Sequence, residues 1–461
     1  MLTMSAAGAE SLWDEILPEE VKTLPDDLAA LDALLSDPVL LAPIAVRWER
    51  LLAEAGSVPG RGRPTIPMET YVRLMVVKHR SGWGYETLMR EVSDSLHLRR
   101  FCRLGLTEAV PDESTVRKLT RRLGAEVVHE ITRELIQKAR REKRFRPRAA
   151  RIDSTVVEAD IRYPTDAGLA DAGVRALARD GRKLAAKIGE KRTAVRNRSR
   201  AVGRKMRALT RSIRRRSGEA KAEVLRLTGE TGALLKQSIK QARKLAATAS
   251  RRARGRGAQA KLKAARKLEE LADLCEKVTE QITKRLKGEK ITDRLVSLWD
   301  SDARPIRKGK LGKPNEFGYV DQLCEITQNT KPGARGFILP PKSQIGNPAE
   351  NTLLPDTAQE LRDLDITLTE ITVDGGFTTN ETNEALEGLA DIVHIAGRQE
   401  PGSKRTRRRR RRYRTGAEGR VSHLKRGYGL DRSRLKGNEG HQIWDGWATL
   451  TYNADTYTTL K

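Results

Sequence analysis

From Thr165 to Arg304 the chain contains no proline, and this stretch is dense in Arg, Lys, Ala and Leu. Near its end Leu268, Leu271, Leu274, Val278, Ile282 and Leu286 recur every three or four residues, which lines them along one face of a helix. Glycines 218, 229, 232, 255 and 257 mark the expected breaks. The segment therefore reads as two or three long helices folded back on one another. It is either a basic arm that tracks DNA or a coiled spacer with a solvated charged face. Strand signals lie on both sides of it, so the arm interrupts another fold.

Before the arm, "AARIDSTVVEADIRY" (149–163) is rich in β-branched residues and reads as a strand. After it come "EFGYVDQLCEIT", "RGFILPP" and "DITLTEITVDGGF", each short and bounded by Gly or Pro. "TTNETNEALEGLA" reads as a helix and "DIVHIAG" as another strand. An arginine run, "RTRRRRRRYRTGAEGR" (405–420), then leads into a helix through Glu418 and Lys425. Alternating strands and helices predict an α/β core of mixed sheet flanked by helices, interrupted after its first strand. The expected catalytic domain is 146–164 with 300–461, and the helical insertion is 165–299.

Residues 61–145 predict an all-α domain. "PMETYVRLMVVKHR" sets Met68, Val72, Met75 and Val76 at helical spacing, and "VPDESTVRKLTRRLG" opens on Pro-Asp and closes on Gly124. In that last helix Val116 and Leu119 face inward while Arg117, Lys118, Arg121 and Arg122 face out. A helix, a turn and a basic helix suit DNA binding; an ordinary bundle with a solvated basic face has the same pattern.

Charge narrows the partners. The net charge is +28, yet residues 1–60 hold 11 acidic and 3 basic side chains, leaving the remainder near +36. An excess that large self-repels and points to a poly-anion, most often nucleic acid. Cys102, Cys275 and Cys324 form no CxxC pair, which argues against a disulfide framework or zinc site and fits a reducing cytosol. No signal peptide or membrane-spanning stretch is read, so a soluble cytoplasmic protein is expected.

Three carboxylates carry the chemistry. Asp374 ends a strand and is followed by Gly375 and Gly376, which let a bulky ligand approach. Asp153 sits inside a strand beside Ser154 and Thr155. Singly, these read as a turn aspartate and a solvated strand residue. Glu418 shares one helix face with Arg414 and Lys425, either a surface ion-pair ladder or a metal-binding acid between phosphate-holding cations. If the three acids converge, their repulsion calls for a divalent cation. Two such ions suit phosphodiester cleavage and transfer. No HExxH, GxxxxGK[ST] or GxSxG pattern offers another chemistry.

With these residues in view, "RIDSTVVEADIRYPTD", "ARPIRKGKLGKPNEFGY", "VDGGF" and "YRTGAEGRVSHLKRGYGL" resemble the DDE transposases of bacterial insertion sequences. "GRPTIPMETYVRLMVVKHRSGWGYETLMREVSDS" is similar to their helical N-terminal domain. The resemblance runs from about residue 60 to the C-terminus. Its most specific parts are the DSTVVEA strand and the R-x3-E-x6-K spacing of Arg414, Glu418 and Lys425. Where many relatives carry a tyrosine three residues before that arginine, this chain has Arg411, with Tyr413 nearby.

The resemblance implies an RNase H-like catalytic core in which Asp153, Asp374 and Glu418 are catalytic and hold two Mg²⁺ ions, Mn²⁺ substituting. It also implies that Arg414 and Lys425 contact terminal DNA phosphates, with Arg411, Arg412, Arg117, Lys118, Arg121 and Arg122 as further DNA contacts. The expected activity is binding of terminal inverted repeats of double-stranded DNA, cleavage and strand transfer by at least a homodimer, at the bacterial nucleoid. The alternatives are an inactive DNA-binding derivative and a metal-dependent nuclease of the same core.

Overall fold

The computed structural model describes residues 17–56, 65–190, 195–215, 217–310, 313–398 and 402–460. Of the acidic segment 1–60 and the helical segment 61–145, residues 1–16 and 57–64 lie outside the described residues. In chain order come α1 (Glu19–Lys22), α2 (Asp26–Leu35), α3 (Pro38–Glu54), α4 (Met68–Ser81), α5 (Tyr85–Asp94), α6 (Leu96–Phe101), α7 (Glu113–Leu123) and α8 (Ala125–Arg141). Strand β1 (Ala149–Ala159) follows, then α9 (Asp166–Lys187), α10 (Ser199–Ile213), α11 (Gly218–Arg251) and α12 (Ala258–Leu286). Next are β2 (Arg304–Lys310), β3 (Lys313–Thr327), β4 (Phe337–Ile338), β5 (Lys342–Gln344), α13 (Leu354–Asp363), β6 (Leu368–Val373), α14 (Thr379–Ala385) and β7 (Ala390–Ile395). The chain closes with α15 (Lys404–Gly427), β8 (Arg432–Ser433) and α16 (Asn438–Thr459). Its contacts divide it into two units, Met1–Asp160 with Gly318–Lys461, and Ile161–Phe317.

In the first unit one hydrophobic cluster runs from Leu31 of α2 through α4 and α8 to Ile371 of β6 and Tyr457 of α16. The segments read as 1–60, 61–145 and 146–164 with 300–461 thus share a core. α4 shows what that does. Its spacing suggests one buried face, but every residue from Met68 to His79 is buried, because α2, α3, α5, α15 and α16 surround it. Of its buried charges, Arg73 is paired within the protein. Arg73 meets Asp32 at 3.0 Å and Glu69 at 3.7 Å.

The acidic N-terminal segment has a structural use in the same unit. Asp27 pairs with Arg80, Asp32 with Arg73 and Arg103, and Asp37 with Lys138. These acids neutralise cations of the later helices. No single described helix is long and apolar enough to cross a membrane. The bent pair α2 and α3 passes that test jointly, but Leu31, Leu34, Leu40 and Ile44 are spent on the protein core.

The sheet of this unit has the order β3-β1-β6-β7, with β4 and β5 on β3 and β8 on β1. β1 is antiparallel to β3, where Asp153 faces Leu323 and Thr155 faces Asp321. It is parallel to β6, where the pairing runs from Ala149 with Glu370 to Ile152 with Val373. β6 continues parallel to β7. A mixed sheet flanked by helices makes this an α/β fold.

The second unit is the helical insertion, and it differs in detail from its sequence reading. It contains α9, α10, α11 and α12, and the glycines at 229 and 232 do not break a helix. Both lie inside α11, where a Cβ on Gly229 would stand 3.1 Å from Leu286 and one on Gly232 would stand 3.2 Å from Ile282. Glycine inside a helix costs about 0.5–1 kcal/mol relative to alanine. Here its absent side chain lets α12 lie close, which offsets that cost. The real turn is at Gly255 and Gly257, with φ of +65° and +92°. Fully buried Asp166 accepts from Arg285 at 2.9 Å and from Arg294 at 2.7 Å, tying the start of the insertion to its end.

Candidate functional site

The parallel ladder between β1 and β6 ends at Ile152 and Val373, and each is followed directly by an aspartate. Neighbouring strands lie about 4.8 Å apart, so Asp153, still within β1, and Asp374, just past the end of β6, stand side by side. Residues 221 positions apart could not be joined by any local pattern; register does it. Side chains alternate along a strand. Asp153 therefore shares a face with Arg151, whose guanidinium donates to the Tyr413 carbonyl of α15 at 3.1 Å. One Asp153 oxygen accepts the Ser154 N–H at 2.9 Å.

α15 is fastened to that face by buried polar contacts. Arg151 pairs with Glu325 at 2.6 Å, and Arg420 of α15 meets the other oxygen of Glu325 at 2.9 Å. The Tyr413 hydroxyl lies 2.6 Å from the Thr327 hydroxyl. A Cβ at Gly416 would stand 1.9 Å from the Arg151 guanidinium, so only glycine admits this approach. Below, Leu424 packs with Val157 and Leu323. Tyr413 is buried, and burial raises its phenol further above the ordinary range. Its place is structural, inside the sheet-to-helix contact.

These restraints hold the part of α15 that carries Glu418 against β1 and β3. Arg414 lies between two of the acids, with Nη1 at 2.9 Å from Asp374 and Nη2 at 2.9 Å from Glu418. The carboxylates of Asp374 and Glu418 remain open to solvent, 41% and 59% exposed, while Arg414 is 21% exposed. The three acids do not form a set whose oxygens all lie within 4.8 Å of one another. The guanidinium is the counter-charge that their repulsion requires. Lys425, two turns beyond Glu418 on α15, donates to the Val156 carbonyl at 2.6 Å. That carbonyl lies on β1 beyond the last β6 pairing and before β8 begins at Glu158.

The arginine run departs from its sequence reading. It does not precede the helix; α15 already starts at Lys404, capped by the Ser403 hydroxyl on the Thr406 N–H. A helix sorts the run by face. Arg409, itself exposed, and buried Arg410 reach Glu370 of β6, at 2.7 and 3.4 Å. Arg405, Arg407, Arg408, Arg411 and Arg412 are exposed. On α7, capped by Asp112, Val116 and Leu119 are buried and Arg117, Lys118, Arg121 and Arg122 are exposed. Arg117 pairs with Glu113 at 3.3 Å, Arg121 donates to the Lys436 carbonyl at 3.4 Å, and Arg122 covers the Trp48 ring at 4.6 Å.

Sequence reading passed over one cluster. Among the described residues, Asp321, His441 and Asp445 are a set of three metal-capable side chains whose donor atoms all lie within 4.8 Å. All three are fully buried; His441 Nε2 is 2.6 Å from Asp321 and 3.7 Å from Asp445, and Tyr319 stacks on the imidazole. Burial, reinforced by the charge of Asp321, pushes the Asp445 carboxyl well above its ordinary range. The set can hold a shared proton or a small cation. His441 and Asp445 are i and i+4 on α16, a visible spacing, but nothing local announces Asp321.

Residues 24–122 match a family model described as Transposase domain (DUF772). The match covers α2 to α7 and ends before the strand bearing Asp153. It supports a transposase, the class of enzyme that cuts and transfers DNA. No curated protein and no solved structure matches the chain.

Proposed function

We propose that the chain is a DDE transposase of an insertion sequence, built on an RNase H-like core. It binds the terminal inverted repeats, cuts at the ends and joins the 3′-OH ends to target DNA. The observation that carries this reading is the β1–β6 register, which sets Asp153 beside Asp374, with Glu418 tied to Asp374 through Arg414.

The donor set fits Mg²⁺, with Mn²⁺ as substitute. It consists of hard carboxylate oxygens without sulfur, and a cation already stands between Asp374 and Glu418 in the form of Arg414. Asp153, Asp374 and Glu418 would hold the metal. When bound, two ions supply activation of water or a 3′-hydroxyl and stabilisation of the leaving oxygen. The chain's own residues do the rest. Arg414, freed from the acids once they are neutralised otherwise, offers a planar fork that takes a phosphate in two hydrogen bonds. Exposed Arg411 and Arg412 continue the same positive surface one turn earlier, and the exposed cations of α7 form a second one. The Arg151–Glu325–Arg420 network keeps Glu418 in place while phosphates and cations exchange around it.

The partners in this reading are double-stranded DNA and a second copy of the chain, because two ends must be paired, within the bacterial cytoplasm. The deciding experiment incubates the protein with the DNA flanking its own gene and Mg²⁺ or Mn²⁺, and maps the ends of the products. Nicks at fixed positions bearing 3′-OH support the reading; intact DNA at every metal concentration overturns it.

A further inference from the structure

Five Lys or Arg side chains are buried among the described residues: Arg73, Lys78, Arg99, Arg151 and Arg410. Four have an evident reason. Arg73, Arg151 and Arg410 face carboxylates, and Arg99 donates to the carbonyls of Gly105, Leu106 and Glu108. Lys78, 2% exposed, has neither. Its ammonium meets only aromatic faces, Trp444 at 3.9 Å and Tyr85 at 4.8 Å. Removing an ammonium from water without an anion is costly, and two ring faces return only part of that cost. Burial, with the nearby charge of Arg434, accordingly pulls Lys78 down to about 7.

Lys78 lines a cavity of about 450 Å³ formed where α4 and α15 both end. Arg434, Lys425 and Arg426 line it too, and Asp431 is its acidic member. Arg434 is exposed and, among the described residues, has no carboxylate partner. Arg80 also lines the cavity but is engaged by Asp27 at 2.7 Å and Asp455 at 3.4 Å. Two helix C-termini contribute roughly half a negative charge each, which leaves the cavity positive. Lys425 and Arg426 belong to the same helix as Glu418, so the cavity and the candidate acids are carried by one element.

We infer that this cavity is a phosphate pocket in which Lys78 and Arg434 take one backbone phosphate of the DNA strand lying along α15. The anion supplies the partner that Lys78 lacks, and a phosphate offers enough oxygens to accept from both side chains. This rests on the transposase reading for the identity of the poly-anion, and it adds a contact from α4, remote in sequence from every acid of the site.

The test uses the full chain, a fluorescent duplex oligonucleotide and a salt series read by anisotropy. Each neutralised phosphate adds about −0.9 to the slope of log K against log salt. Lys78→Met and Arg434→Gln are each expected to flatten that slope by about 1, whereas Arg90→Gln, at an exposed arginine paired with Glu91, leaves it unchanged. Lys78→Met is also expected to raise Tm without DNA, since it removes an unpartnered buried ammonium; this shows that a lost contact is not a lost fold. Wild-type slopes in both variants would overturn the pocket. If millimolar inorganic phosphate raises the Tm of the wild type but not of Lys78→Met while both DNA slopes stay at the wild-type value, the pocket takes free phosphate and the DNA assignment falls. A chain that binds no DNA refutes the transposase reading itself, a distinct result from either.

Discussion

Arg151 of β1 and Glu325 of β3 form a buried ion pair at 2.6 Å, and the helix that carries Glu418 hangs on it. Glu325 also accepts from Arg420 of α15 and from the Gly336 N–H, so both of its oxygens are used. Arg151 meanwhile reaches the Tyr413 carbonyl one turn before Glu418. Breaking one partner of such a pair strands the other charge in the protein. We predict that Glu325→Gln destabilises the fold by about 3–5 kcal/mol, and that the matched double change Arg151→Met with Glu325→Leu recovers part of this. Denaturant melts of the three variants decide it; a single variant within about 1 kcal/mol of wild type removes the network from its anchoring role.

The acids are predicted to separate chemistry from binding. Asp153→Asn, Asp374→Asn and Glu418→Gln should each abolish cleavage and leave duplex affinity unchanged or slightly higher, since each removes a negative charge from the surface proposed to meet DNA. Gel assays of cleavage and binding on the same preparations measure both. Normal cutting by any one of the three would exclude that residue from the catalytic set.

In the proposed function, phosphate contacts would set the salt response of DNA binding. With about 6–10 phosphates engaged, affinity should fall by roughly 10³–10⁵ between 50 and 200 mM salt. The exposed arginines of α15 and the exposed cations of α7 are the two surfaces to dissect, by Arg411→Gln with Arg412→Gln and by Lys118→Gln with Arg121→Gln. A flat response in the wild type would deny phosphate-dominated binding.

Asp445 gives a pH prediction. Its folded carboxyl is held well above the ordinary value by burial and by Asp321, with His441 packed against both. A raised folded pKa means that the fold keeps a proton which the unfolded chain releases near pH 4. The contribution is therefore complete below about pH 4 and is lost as pH rises towards the folded value, on the order of 1 kcal/mol per pH unit. Asp445→Asn removes that loss, so its stability relative to wild type should climb between pH 4.5 and 8. Parallel stability curves for the two proteins would mean that Asp445 is ionised and matched in the fold.

Much of this protein was legible because it depends on near neighbours in the chain. The proline-free basic stretch had to be helical, and the R-x3-E-x6-K spacing put Arg414, Glu418 and Lys425 on one face, because a helix repeats every 3.6 residues whatever surrounds it. Caps such as Asp112 on α7 are equally local. Tertiary structure decided what local rules leave free. Gly229 and Gly232 are packing sites because α12 lies against them, not because glycine ended a helix. α4 is buried on every side because α2, α3, α5, α15 and α16 all lean on it, where its own spacing asked for one face. Lys78 lost its water for the same reason. Asp153 and Asp374 meet through a strand register, and Asp321 meets His441 and Asp445 through a helix packed on a sheet. Those distances are fixed by burial shared among remote segments, and no stretch of sequence holds enough of the core to state them alone.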